Sequence, residues 1–131
     1  MLQHILEHDP IARFLLTHSK ITTTQLDSCI IDAASEGLNK NLIDKVLMRD
    51  GPRVTKGSFL RTLGQGKENL EKSIYTLVLS EYFNLLPQDF IEDIIKVGKM
   101  LVTLKESSAS PEKVNEILMV LRKLGDVISY R

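Results

Sequence analysis

Two runs near the C-terminal end constrain the fold most: Phe90, Ile94, Val97, Leu101, Leu104, and then Val114, Ile117, Leu121, Leu124, Ile128. Their steps alternate between four and three residues, the heptad rhythm, which gathers each set on one side of an α-helix. The helical period recurs in nearly every other segment, and none shows sustained alternation bounded by hairpin turns. The chain therefore reads as all-α. Between the two runs, "ESSASPEK" supplies a polar turn, with Ser110 as N-cap and Pro111 at the first helical position. This makes residues 87–131 an antiparallel helical hairpin and a candidate dimerisation element. Two amphipathic helices covering the core of the same domain account for the spacing equally well.

Upstream, Leu2 to His8 forms a short helix, interrupted at Asp9-Pro10. Asp9 is placed to N-cap the next helix, Ile11 to His18, with Pro10 in its first turn. The hydroxyls of Thr22, Thr23 and Thr24 offer caps for a helix carrying Leu26, Ile30, Ile31 and Ala34, which Gly37 stops in a left-handed conformation. A helix from about Asn41 to Arg49 buries Leu42, Val46 and Leu47 and ends at the breaker Asp50-Gly51-Pro52.

A chain of 131 residues fits one domain with a sizeable core. Its 43% hydrophobic and 26% charged residues are those of a globular protein. No run approaches the ~18 apolar residues of a membrane span, and the N-terminus has no apolar signal core. A cytoplasmic protein is expected. The single cysteine, Cys29, excludes an internal disulfide and a cysteine zinc site, and its apolar surroundings make it a small buried hydrophobe.

The formal net charge is zero, but it is unevenly spread. Residues 1–38 hold two basic and five acidic side chains, residues 39–85 eight and five, and residues 86–131 seven and seven. From Arg49 to Lys67 five positive residues face the single Asp50, so a local basic surface is available despite the neutral total.

That basic stretch leads into "RVTKGSFLRTLGQGKENLEKSIYTL", Arg53 to Leu77. Thr55 is an N-cap, and Phe59, Leu60 and Leu63 form an apolar face that can pack against Leu70, Ile74 and Leu77 across a joint at Leu63-Gly64-Gln65-Gly66. The two glycines permit positive φ there. A second helix then runs from Lys67 to Leu86, closed by Pro87. Its outer side is polar at the start, with Glu68, Lys72 and Tyr75, and apolar at the end, with Leu79, Tyr82, Phe83 and Leu86. Such an end is buried, either under the C-terminal hairpin or in a dimer interface.

In layout, "FLRTLGQGKENLEKSIYTL" resembles the helix-turn-helix of bacterial and archaeal regulators, including the winged-helix MarR-like group. Because Leu85-Leu86-Pro87 leads directly into another helix, the resemblance is to a wingless, small archaeal type. It implies a tri-helical helix-turn-helix core within residues 1–86, with the motif at about 55–86, preceded by short N-terminal helices and followed by the hairpin. It also implies a transcriptional regulator or chromatin-associated factor acting as a homodimer on double-stranded DNA. The DNA-binding residues would be Arg53, Thr55, Lys56, Ser58, Arg61, Gln65 and Lys67 on the approach and turn, then Asn69, Lys72, Tyr75 and Thr76 on the recognition helix. Glu68 and Glu71 oppose phosphate there. The rival expectation is a helical protein–protein adaptor, or a small subunit of a larger assembly, that uses the hairpin and binds no nucleic acid. RNA contact through the same basic patch is a third.

"HILEH", His4 to His8, matches the His-x-x-Glu-His spacing of inverzincins. A catalytic zinc site also needs a third protein ligand beside a shaped cavity, so the segment reads as a solvated terminal turn. All three histidines lie within the first 18 residues, and there is no Walker loop and no strand ahead of Gly64. Pairs such as Glu92-Asp93 fit solvated helix faces. No enzyme, cofactor or metal is expected.

Overall fold

The computed structural model describes residues 2–38, 40–49, 51, 53–107 and 110–129. Among them are seven α-helices and no strand: α1 (Leu2–His8), α2 (Pro10–Thr17), α3 (Thr23–Ala34), α4 (Leu42–Leu47), α5 (Lys56–Tyr82), α6 (Phe90–Lys105) and α7 (Pro111–Ser129). The all-α expectation holds. The chain divides into two compact units, residues 1–74 and 75–131, and the division falls within α5.

In the first unit, local capping chemistry sets the helix starts. The Asp9 carboxylate accepts from the Ala12 amide at 3.0 Å, with Pro10 opening α2. Thr22 and Gln25 form a reciprocal capping box on α3, and Asn41 and Asp44 form another on α4. Gly37 is left-handed as expected, with φ +78°, and so is Gly51, with φ +85°. Asp50 and Pro52 of the expected breaker, and Ser108 and Ala109 of the polar turn, lie outside the described residues. Ile31, Val46, Phe59 and Leu63 make the core, one or two from each of α3, α4 and α5, with Cys29, Leu42, Met48 and Val54 packed against it.

The joint at Leu63 to Gly66 is not a turn. Helix α5 runs through it without interruption for 27 residues, opened by Thr55, whose hydroxyl accepts from the Ser58 amide at 3.1 Å. Neither Gly64 nor Gly66 adopts positive φ. Each glycine inside a helix costs about 1 kcal/mol relative to alanine, which does not stop a helix that is capped and free of proline. Gly66 serves the tertiary structure instead. It is buried against α3, where a Cβ would lie 2.7 Å from the Cys29 Sγ and 3.1 Å from the Gln25 carbonyl oxygen. The continuous helix also moves residues expected to pack inward: Leu60, Leu70 and Ile74 are exposed. Three helices do share a core in this unit, but without the bend that would fold Leu70 and Ile74 back onto Phe59 and Leu63.

In the second unit, α5 ends at Tyr82 rather than at Leu86. Asn84 is left-handed with φ +56°, its amide donates to the Glu81 carbonyl at 2.9 Å, and the Leu85 amide donates to the Ser80 carbonyl at 2.9 Å. This is a Schellman stop with asparagine at the left-handed position. Leu86 and Phe90 are then buried. In α6 and α7 the heptad positions Phe90, Ile94, Val97, Leu101, Leu104, Val114, Ile117, Leu121 and Leu124 are all buried or half-buried, joined by Ile91 and Leu118. Ile128, expected on the same stripe, is exposed. Ser110 caps α7 as expected, its hydroxyl accepting from the Lys113 amide at 3.2 Å. The two stripes are buried or half-buried in one unit, on helices joined by a five-residue connection.

Candidate functional site

The expected DNA-binding residues separate into three groups. Arg53, Thr55, Lys56 and Ser58 gather at the start of α5, with the arginine and lysine exposed. With Thr55 they edge a cleft of about 450 Å³ whose apolar wall is Ile43, Val46, Leu47 and Val54. The first amides of α5 add the positive end of its dipole, although the Thr55 and Ser58 groups are already engaged in capping. Further along, Arg61, Gln65, Glu68 and Lys72 recur at helical spacing and line one exposed side of α5. Lys72 Nζ lies 2.9 Å from Glu68 Oε1, so part of this charge is compensated on the same face.

The second group, Asn69 and Lys67, pairs with side chains of α3 within the first unit. The Asn69 amide nitrogen donates to Gln25 Oε1 at 2.8 Å, the same oxygen that accepts from the Thr22 amide at 3.2 Å. Asn69 thereby joins α5 to the cap of α3. Lys67 Nζ lies 3.1 Å from one carboxylate oxygen of Asp32, while Lys45 Nζ lies 3.0 Å from the other. Asp32 of α3 therefore draws in lysines from both α4 and α5. Hydrogen bonds from Lys45 and Lys67 hold its carboxyl below the usual carboxylate range. Cys29, one helical turn before Ala33 on the same helix, is half-buried; desolvation pushes its thiol up, with Lys67 pulling the other way.

The third group belongs to the second unit, where Tyr75 and Thr76 continue α5. Here the exposed chemistry is apolar and aromatic. Tyr75 is 65% exposed, Phe83 63% and Tyr82 82%, with Val78 and Leu79 between them more than half exposed. Tyr75, Leu79 and Phe83 stand one helical turn apart, as do Val78 and Tyr82, so all five share a side of α5 and its C-cap. The Tyr82 and Phe83 rings meet edge to face with centroids 5.3 Å apart. The sequence offers two covers for Leu79, Tyr82 and Phe83. Within its own unit the hairpin does not cover them; only Leu86 goes inside. The aromatic cluster is legible in the sequence as apolar spacing; the signal for the stop that ends the face is Asn84, a residue type that commonly terminates helices in the left-handed conformation.

Together these features define an all-α protein with an exposed aromatic helix face and a separate basic helix start. No family model, curated protein or solved structure matches the chain. Among the described residues no helix is long and apolar enough to cross a membrane.

Proposed function

We propose that this chain is a helical protein–protein interaction subunit that self-associates through the aromatic face of α5. The observation that supports this is the exposure of Tyr75, Val78, Leu79, Tyr82 and Phe83 together on one side of a formed helix. Tyrosine and phenylalanine concentrate in the buried centres of interfaces, and exposed contiguous apolar patches mark such contacts. Three of the chain's seven aromatic Phe and Tyr residues stand on this face, which is a high share for a surface with no partner. The role is binding rather than catalysis, in a cytoplasmic setting. Light scattering on the full chain tests it: a dimer mass at about 100 μM, with Tyr82→Ala weakening association about tenfold or more, is expected. A monomer mass throughout that range overturns it.

A second reading, contact with duplex DNA, is supported by Arg53, Lys56 and Arg61, which stand exposed along the opening turns of α5. In that reading they grip phosphates beside the helix start, and the continuous α5 replaces the helix-turn-helix. Affinity for duplex DNA that falls steeply between about 50 and 200 mM salt, and falls again in Arg61→Ala, is its expected signature. No measurable binding at low salt removes it.

A further inference from the structure

The segment "HILEH" is a formed helix whose exposed side carries a compact set of metal-binding atoms. One ligand atom from each of His4, Glu7 and His8 lies within 4.8 Å of the other two. The two imidazole rings stand edge to face, centroids 4.7 Å apart, one turn along the helix. Zinc ligands lie about 2.0–2.2 Å from the ion, which puts tetrahedral donors roughly 3.3–3.6 Å from each other. Modest side-chain rotations close that difference, and all three side chains are exposed and have room to turn.

The turn that carries them is held in place by α2. Arg13 Nη1 donates to the Leu6 carbonyl at 2.5 Å and to the Glu7 carbonyl at 3.1 Å, satisfying carbonyls that the end of α1 would otherwise leave to water. At the other end Leu2 is buried. The turn that carries the two histidines is thus helical and anchored at both ends without an ion, which lowers the ordering cost of chelation. The segment is solvated, as expected of a terminal turn, and it is a formed helix.

We propose that His4, Glu7 and His8 form a surface chelate for a divalent transition-metal ion of the zinc class. Two imidazole nitrogens and one carboxylate oxygen suit zinc, copper or nickel and discriminate against calcium and magnesium, which take oxygen ligands. Three protein ligands leave at least one coordination position to solvent. The proposal concerns binding and assigns no reaction.

Calorimetric titration of the full chain with zinc sulfate in a non-chelating buffer tests it, with circular dichroism confirming that each variant is folded. The expected result is one zinc per chain, with affinity at least about tenfold weaker in each of His4→Ala, His8→Ala and Glu7→Gln. His18→Ala and Cys29→Ser should bind as the native chain does. Absence of saturable binding up to about 1 mM zinc overturns the proposal, as does binding that survives His4→Ala and His8→Ala together. Unchanged affinity in Glu7→Gln overturns the three-ligand assignment.

Discussion

A Cβ placed on Gly66 would lie 2.7 Å from the Sγ of Cys29, closer than such atoms approach in folded proteins. Gly64, two residues earlier in the same helix, has nothing within 4 Å of the equivalent position. One glycine is therefore fixed by its neighbour on α3, and the other is a residue that the helix tolerates.

Opposite outcomes follow for the two alanine substitutions. Gly64→Ala should stabilise the fold by about 0.5–1 kcal/mol, through helix propensity and a less flexible unfolded chain. Gly66→Ala should destabilise it by about 1–3 kcal/mol, because the Gln25 carbonyl as well as the thiol must give way. Adding Cys29→Ala should recover only part of that loss. Urea denaturation of the four proteins checks all three statements.

Asp32 makes stability depend on pH in a definite direction. Its lysine partners lower the folded-state pKa, so its contribution is complete above the unfolded carboxyl value of about 3.9 and is lost as pH falls through the lower folded value. Asp32→Asn should cost stability at pH 7, by about 1 kcal/mol or less per pair because both pairs are partly solvated. The difference between native and variant should shrink below pH ~4 and vanish in stronger acid. Denaturation midpoints at pH 7, 5 and 3 follow it.

Cys29 should be a slow nucleophile. Burial raises its thiol pKa, so less thiolate is present at any given pH than on an exposed cysteine. Iodoacetamide labelling of the native chain at pH 8 should be slower than in denaturant by about tenfold or more, since access and thiolate fraction both fall. Gly66→Ala, which disturbs the packing over the thiol, should speed it.

The aromatic face and the core should respond differently to truncation. Phe59 is 1% exposed, and Phe59→Ala should cost about 3–5 kcal/mol. Tyr82→Ala, on the exposed face, should change monomer stability by about 0.5 kcal/mol or less. Thermal melts of the two variants beside the native chain separate the two.

What the sequence conveyed follows from how local the governing physics is. Asp9 and Pro10, Thr22, Thr55, and Ser110 with Pro111 cap helices through atoms three residues away, so their roles could be read directly. The heptad stripes of α6 and α7 are equally local, and only Ile128 departs from them. Gly64 and Gly66 could not be read that way, because glycine permits both a bend and a close helix crossing, and the choice lies with Cys29 and Gln25 about forty residues upstream. The contacts of Asn69 and Lys67 are hidden from a local reading of the sequence for the same reason. Their partners, Gln25 and Asp32, are equally distant in sequence. The exposed basic residues Arg53, Lys56 and Arg61 need no distant partner to be recognised as surface charge, and they stand where the sequence placed them.

The connection from α5 to α6 holds two non-glycine residues, Asn84 and Asp89, at positive φ. Only a narrow alphabet fits such backbone: glycine, asparagine and aspartate are comfortable, while β-branched residues are not. These two positions should consequently drift little under random mutagenesis with selection for folding, even though their side chains need touch no ligand. A mutational scan would find in them a short conserved signature written by chain geometry alone, and it could be mistaken for a binding motif.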